Sequence, residues 1–275
     1  VLSDRPAQLQ TPIEVFDRLI TPNELFFVRS HFGAPRLDLT RKLIVTGRVE
    51  AQLELDLPAL QKLPQHTVTA VLQCAGNGRA QFSPIIPGVQ WRHGAMGQAE
   101  WTGVRVSDLL ARARPKREAA HLHLAGADRP PMPSTPGFLR NLPLARALQP
   151  DVLVAWKMNG EPLSLAHGAP FRLVVPGWAG ALWLKWLTRI EVSADEEPGF
   201  WVQKGYRIPP RPVEPGSKVP PEQMVPVAAM PVKSVIARPT EGTSLPAGTQ
   251  EVVGVAFSGA AALRYVEVSV DGQKW

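Results

Sequence analysis

Proline and glycine punctuate this chain throughout: 29 of its 275 residues are Pro and 22 are Gly. A proline inside a helix removes a hydrogen bond and clashes with the preceding turn, and a glycine weakens the helix that holds it. Long helices and helical bundles are thereby excluded. Short strands and short helices joined by turns remain. Apolar residues make up 44% of the chain and charged residues 20%, which supplies a core and argues against intrinsic disorder. At this length one large domain with a small or partial second one is expected. A single cysteine excludes an internal disulfide, a zinc cluster built on cysteines and an iron–sulfur site.

The formal net charge of +6 favours anionic partners. The basic residues are scattered, so nucleic acid is not expected, and a small oxyanion or an acidic protein patch is favoured. The longest apolar stretch, from Leu173 to Leu184, is interrupted by Pro176, Gly177 and Gly180, so no membrane span is expected.

Residues 1–40 read as loops and turns around a short β-prone run, Leu25 to Arg29. Strands are expected over residues 42–49, 67–73, 121–125, 152–158, 171–175 and 185–192, and short helices over 56–63, 106–113 and 142–148. Asn159-Gly160 is a hairpin turn. Residues 208–226 hold seven prolines and read as an extended linker, and 232–238, 250–257 and 263–270 read as three strands of a β-sandwich that is incomplete at Trp275. The expected fold class is α+β, with a catalytic domain over 1–207, a linker over 208–226 and a partial all-β domain over 227–275.

Cys74 follows a buried-type strand and opens the loop Ala75-Gly76-Asn77-Gly78-Arg79. A guanidinium five residues on favours thiolate, which is both a nucleophile and a soft metal ligand. A hydrolase nucleophile, a single-thiolate metal ligand and an inert buried thiol all remain open. His121 and His123 share a strand face and suit either a metal site or plain packing, while His31, His66 and His93 are ambiguous alone. His167, Arg172 and Lys185 surround a Pro-Gly loop and suit a phosphate or other oxyanion, or a solvated strand edge. Trp91 and Trp101 flank Gly94 and Gly97 and suit pocket walls or core packing. No dinucleotide, P-loop, zincin or nucleophile-elbow motif is present.

Several strings follow one another in order: Phe26-Phe27-Val28-Arg29-Ser30-His31, Leu72-Gln73-Cys74-Ala75-Gly76-Asn77, Trp91 with Gly94-Ala95-Met96-Gly97, and Trp101-Thr102-Gly103-Val104. Lys157 to Leu163, His167-Gly168-Ala169-Pro170-Phe171-Arg172 and Lys185-Trp186-Leu187 continue the series. Together they resemble the sulfite oxidase family of molybdenum-cofactor oxidoreductases. The resemblance implies a molybdopterin-binding domain followed by part of an immunoglobulin-like dimerisation domain. It implies a mononuclear molybdenum–molybdopterin centre with one dithiolene pterin, Cys74 as the metal's thiolate ligand, and His31, His167, Arg172 and Lys185 on the cofactor. Arg29, Arg79 and Trp91 then surround a small sulfur oxyanion.

The chain also departs from that pattern. Aligned on Leu142-Pro143-Leu144, Phe138 takes the place of a tyrosine beside the substrate, and the only tyrosines, Tyr206 and Tyr265, lie elsewhere in sequence. No phenol is therefore expected at the substrate. Gly78 stands where a second arginine is often found, and the loop from Gln81 to Gln90 is short. No haem module is read ahead of the domain, so the expected electron acceptor is a separate carrier, cytochrome c. The alternatives are reductive oxygen-atom transfer from a sulfoxide or nitrate, and a non-catalytic relative that binds an anion or a partner. A homodimer through the C-terminal domain, weakened if that domain ends at Trp275, and a periplasmic location are further expectations.

Overall fold

The computed structural model describes residues 1–4, 6–214 and 216–275. Two five-stranded sheets organise it. In the first, Met96–Arg105 runs between His66–Gln73 and Leu153–Met158, antiparallel to both. Glu161–Pro162 and Arg172–Val174 pair with the other edge of Leu153–Met158. The second sheet runs Leu53–Leu55, Leu43–Gly47, Leu187–Ser193, His121–Gly126, Leu139–Pro143; only Leu43–Gly47 and Leu187–Ser193 are parallel. A third, small sheet joins Ser3–Asp4, Ala7–Leu9 and Val28–Arg29. This is the expected mixed architecture, mostly sheet with few and short helices.

Local chemistry explains the elements. The helix Leu57–Gln61 starts on Asp56, whose carboxylate accepts the Ala59 N–H at 2.8 Å, with Pro58 in the first turn. Val106–Ala113 buries Val106, Leu109, Leu110 and Ala113, one helical stripe, against the main core. Asn159 and Gly160 both have positive φ (52° and 80°) and return the chain from Met158 to Glu161 as a tight hairpin.

Three expectations need correction. No strand was expected over residues 96–105, where Met96–Arg105 forms the central strand of the first sheet despite Gly97 and Gly103. Each glycine accommodates a close neighbour. A Cβ on Gly97 would lie 2.6 Å from the Phe26 ring, and one on Gly103 would meet the Val154 carbonyl. The helix expected over 142–148 is reduced to Leu144–Ala147, since Leu142 and Pro143 finish the strand Leu139–Pro143. Residues 263–270 form no strand. A strand needs a laddered neighbour, none of the described residues pairs with this stretch, and Tyr265, Val266, Val268 and Val270 are exposed.

The proline-rich stretch closes on itself: Arg207–Ile208 pairs antiparallel with Val225–Pro226. Beyond it, Lys233–Arg238 and Val253–Phe257 form a hairpin whose Val235 and Ala237 pack on Phe16 and Met96. The Met230 N–H also donates to the Gly177 carbonyl at 2.9 Å, tying this hairpin's approach to the Pro-Gly loop after Arg172–Val174. Among the described residues, no helix is long and apolar enough to cross a membrane.

Candidate active site

The strand His66–Gln73 delivers Cys74 to a loop that is pinned by backbone bonds. The Cys74 N–H donates to Ala95 O at 2.9 Å, the Gly78 N–H to Arg92 O at 2.7 Å and the Ala80 N–H to Trp91 O at 3.0 Å. Gly78 has φ 89°, a left-handed turn that suits glycine. Cys74 is partly open to a cleft, and its Sγ accepts the Gly76 N–H at 3.4 Å. The expectation of a thiol biased to thiolate is corrected here. Burial pushes the Cys74 thiol up, and it outweighs the opposing Gly76 N–H and the Arg29 and Arg79 charges.

All eight residues that the resemblance assigned to the cofactor and substrate line two hollows of this cleft. Arg29, His31, Cys74, His167, Arg172 and Lys185 share one hollow, and Arg79 and Trp91 join Arg29, His31 and Cys74 in the next. Arg79 is packed so closely that a Cβ on Gly76 would lie 2.8 Å from its Nη2, and its Nη1 donates to Val89 O at 3.4 Å. Arg29 donates from Nη1 to Ser30 O and from Nη2 to His31 Nδ1, the latter at 3.2 Å. An arginine only donates, so Nδ1 accepts and the imidazole proton is assigned to Nε2. Burial, with Arg29 and Arg140 nearby, lowers the His31 pKa to about 4, which keeps the ring neutral at neutral pH.

The floor of the cleft holds cations with few anions. Lys185 Nζ donates to Ser30 Oγ and to Ala166 O, both at 2.8 Å, and stands 4.3 Å from the Trp186 ring centroid. Burial and neighbouring Arg172 push its pKa well down, with Asp128 opposing. Asp128 was not singled out in the sequence. Burial raises its pKa while Lys185 and Arg129 oppose the rise, so it is the acid within electrostatic reach of Lys185. Arg172 is buried and its pKa falls to about 9 for that reason. Its Nη1 and Nη2 are spent on the His167 and Trp183 carbonyls at 3.0 and 2.9 Å, and its Nε has no partner. His167 donates from Nε2 to Asn23 O at 3.2 Å and is lowered to about 4, first by burial and then by Arg172.

The expectation of a site without a phenol is overturned. Tyr206 lines the same hollows as Cys74, with its hydroxyl 3.3 Å from His31 Nδ1. Its backbone lies in the left-handed region at φ 52°, which costs a bulky residue about 1–2 kcal/mol, and the Val227 N–H holds its carbonyl at 2.8 Å. Phe138 does not stand in for it. Phe138 stacks on His31 at 4.7 Å and 13°, and Trp201 meets His31 edge-on at 4.1 Å. The other histidines lie outside this cleft's lining. His121 Nδ1 pairs with Asn141 and His123 Nε2 with Asp195 O, and the described residues contain no group of three or more potential metal ligands among His, Cys, Asp and Glu. Trp101 is core, its Nε1 donating to Ala70 O at 3.3 Å.

The family described as an oxidoreductase molybdopterin binding domain matches residues 31–201, which include Cys74, the floor of the cleft and Trp201. The chain belongs to this family. Within the molybdopterin-binding family it is 39% identical over 280 residues to rat mitochondrial sulfite oxidase, covering 98% of this chain and 51% of that protein. It is 34% identical over 269 residues to sulfite oxidase of Arabidopsis thaliana, covering 93% and 68%. The crystal structure of the sulfane dehydrogenase SoxCD from Paracoccus pantotrophus superposes with a TM-score of 0.78 at 31% identity, over 94% of this chain and 64% of that one. The chain spans about half the length of the mammalian sulfite oxidases it matches.

The donor set fits the family's molybdenum–molybdopterin cofactor. The one thiol of the chain, a soft donor, lines both hollows of the cleft. Lys185 has no carboxylate within ion-pair distance among the described residues, and the Nε of Arg172 and the Nε1 of Trp91 are buried without partners. Such groups suit an anionic, polar guest. Cys74 would take the metal, and His31, His167, Arg172 and Lys185 the pterin and its phosphate.

Proposed function

We propose that this molybdopterin-binding chain oxidises sulfite or a related sulfur oxyanion and passes the two electrons singly to a separate acceptor, expected to be a cytochrome c. One observation carries the reading: the single thiol, two guanidiniums and a phenol converge on one cleft, as Cys74, Arg29, Arg79 and Tyr206. When bound, the cofactor supplies oxo transfer and storage of two electrons. Arg29 and Arg79 draw in a dianion and orient it. The Tyr206 hydroxyl gives a hydrogen bond to it. Neutral His31 accepts the Arg29 Nη2 donor at Nδ1, and the Tyr206 hydroxyl, 3.3 Å from the same nitrogen, turns its single proton to the dianion. Trp91 and Trp201 line the same hollow and exclude bulk water. The balance is sulfite plus water to sulfate, two protons and two electrons.

A phenol in the cleft removes the motive for the reductive reading, which rested on Phe138. Location in the periplasm and a homodimer through the C-terminal region remain part of the proposal on the strength of the sequence resemblance. The test pairs metal analysis with sulfite-dependent cytochrome c reduction. About one molybdenum per chain, with activity lost and the thiolate-to-metal absorption gone in Cys74→Ser, is expected. Turnover only of a sulfoxide or nitrate with a reduced dye would overturn the oxidative direction. A wild-type chain that stays metal-free in a cofactor-making host would favour a binding protein.

A further inference from the structure

We propose that Arg140 is the positioning residue for Tyr206, fixing the phenol toward the cleft from behind its wall. Arg140 lies on the edge strand Leu139–Pro143, where alternation turns residues 140 and 142 inward. Leu142 meets the rule for such a position and Arg140 breaks it: a charged side chain is only 3% exposed. Among the described residues no carboxylate lies within ion-pair distance of it, and its Nε has no partner. Buried Glu197 supports its charge from beyond ion-pair distance, and a buried cation without a direct ion pair is expensive, so its presence calls for a closer compensating contact. That contact is aromatic. The guanidinium carbon stands 4.8 Å from the Tyr206 ring centroid and 5.9 Å from that of Phe138.

A second tie acts on the same wall. Arg140 Nη1 donates to the Trp201 carbonyl. The Trp201 ring in turn lies 4.1 Å from His31 and 6.2 Å from Tyr206 between centroids. One guanidinium therefore gathers Tyr206, Trp201 and Phe138, three of the rings about His31. Arg140 itself is not among the residues that line the cleft. Burial lowers its pKa to about 10, so it stays charged at neutral pH. The backbone of Tyr206 is held by the Val227 N–H and the strand that follows it, and its ring is set by Phe138, Trp201 and Arg140. The consequence for substrate rests on the oxyanion reading above; the positioning itself does not.

The chain has only two tyrosines, so 3-fluorotyrosine labelling of the cofactor-loaded protein gives two fluorine resonances, assigned with Tyr265→Phe. In Arg140→Leu the Tyr206 resonance is expected to move toward that of the exposed Tyr265, and in Arg140→Lys to move partway. An unmoved Tyr206 resonance in Arg140→Leu overturns the proposal. If that variant does not fold, an unmoved resonance in Arg140→Lys and Arg140→Gln does the same. Kinetics give a second arm. Arg140→Leu is expected to raise the KM for sulfite several-fold with kcat little changed, and to add nothing in a Tyr206→Phe background. An equal rise in both backgrounds means that Arg140 acts independently of Tyr206 and overturns the proposal. A protein with no sulfite turnover at all sinks the oxyanion reading, while the fluorine shift still decides Arg140.

Discussion

The floor and the mouth of the cleft are built by opposite means. On the floor, Cys74, Arg172 and Lys185 are fixed by backbone partners: Ala95 O, the His167 and Trp183 carbonyls, and Ala166 O. At the mouth, Tyr206, Trp201, Phe138 and His31 are fixed largely by one another, ring against ring, between 4.1 and 6.2 Å. Backbone acceptors belong to the sheets and move only with the fold. Stacked rings can be altered one at a time. The floor should therefore couple to global stability and the mouth to access.

The largest expected effect breaks the floor. Arg172→Met removes two donors from buried carbonyls and a cation 5.0 Å from the Trp101 ring centroid. Leaving those acceptors unpaired should cost about 2–5 kcal/mol of unfolding free energy, read by urea titration of the apoprotein. A variant as stable as the parent would show that the floor is not held as described. Next comes acid. The folded-state pKa values of His31 and His167 are about 4 against 6.5 unfolded. Between these values the unfolded chain binds more protons, so stability is full above pH 6.5 and is lost as pH falls toward 4. For His167 the loss reaches at most about 3 kcal/mol, and it is smaller for His31, whose ring opens to the cleft. His167→Gln should flatten the pH dependence of urea unfolding between pH 7 and 5 more than His31→Gln does. The reverse order would contradict the contrast of floor and mouth.

Overpacking tests how far the floor extends. Gly97→Ala places a methyl 2.6–2.9 Å from the Phe26 ring, and Phe26 packs edge-on against His167 at 5.7 Å. The ring must shift, at about 1–3 kcal/mol, and His167 with it. A thermal midpoint unchanged by this substitution would mean that the sheet yields there.

The same contrast explains what the sequence disclosed. Cys74 and its glycine loop, the His167-to-Arg172 block and Lys185 lie at strand ends, where a short string of residues carries both the turn and the chemistry. Those residues were legible. Tyr206 was not, because its place depends on the chain returning to the cleft after Phe200–Gln203 and on a left-handed backbone that nothing in Gly205-Tyr206-Arg207 announces beyond the glycine. Met96–Arg105 was missed for a related reason. Its glycines serve neighbours distant in sequence, Phe26 and Val154, which a local reading does not contain. Patterns local in sequence were recovered, and placements decided by tertiary contact were not.

The smallest effect on stability, and the sharpest test of the contrast, lies at the mouth. Trp201 is partly exposed, and its Nε1 donates to Pro136 O at 3.0 Å. Trp201→Phe removes that bond and should cost about 1 kcal/mol. Access should change more than stability. Cys74 is the only thiol in the chain, so alkylation of the apoprotein by iodoacetamide reports on the cleft alone. Burial holds the thiol protonated and slows the reaction in the parent. Trp201→Ala should speed alkylation several-fold, because Trp201 lines the hollow next to Cys74. Gly97→Ala, though more destabilising, should leave alkylation nearly unchanged under conditions where both variants are folded. If alkylation instead tracks the loss of stability in both, the thiol is reached by global opening, and the mouth has no independence from the floor.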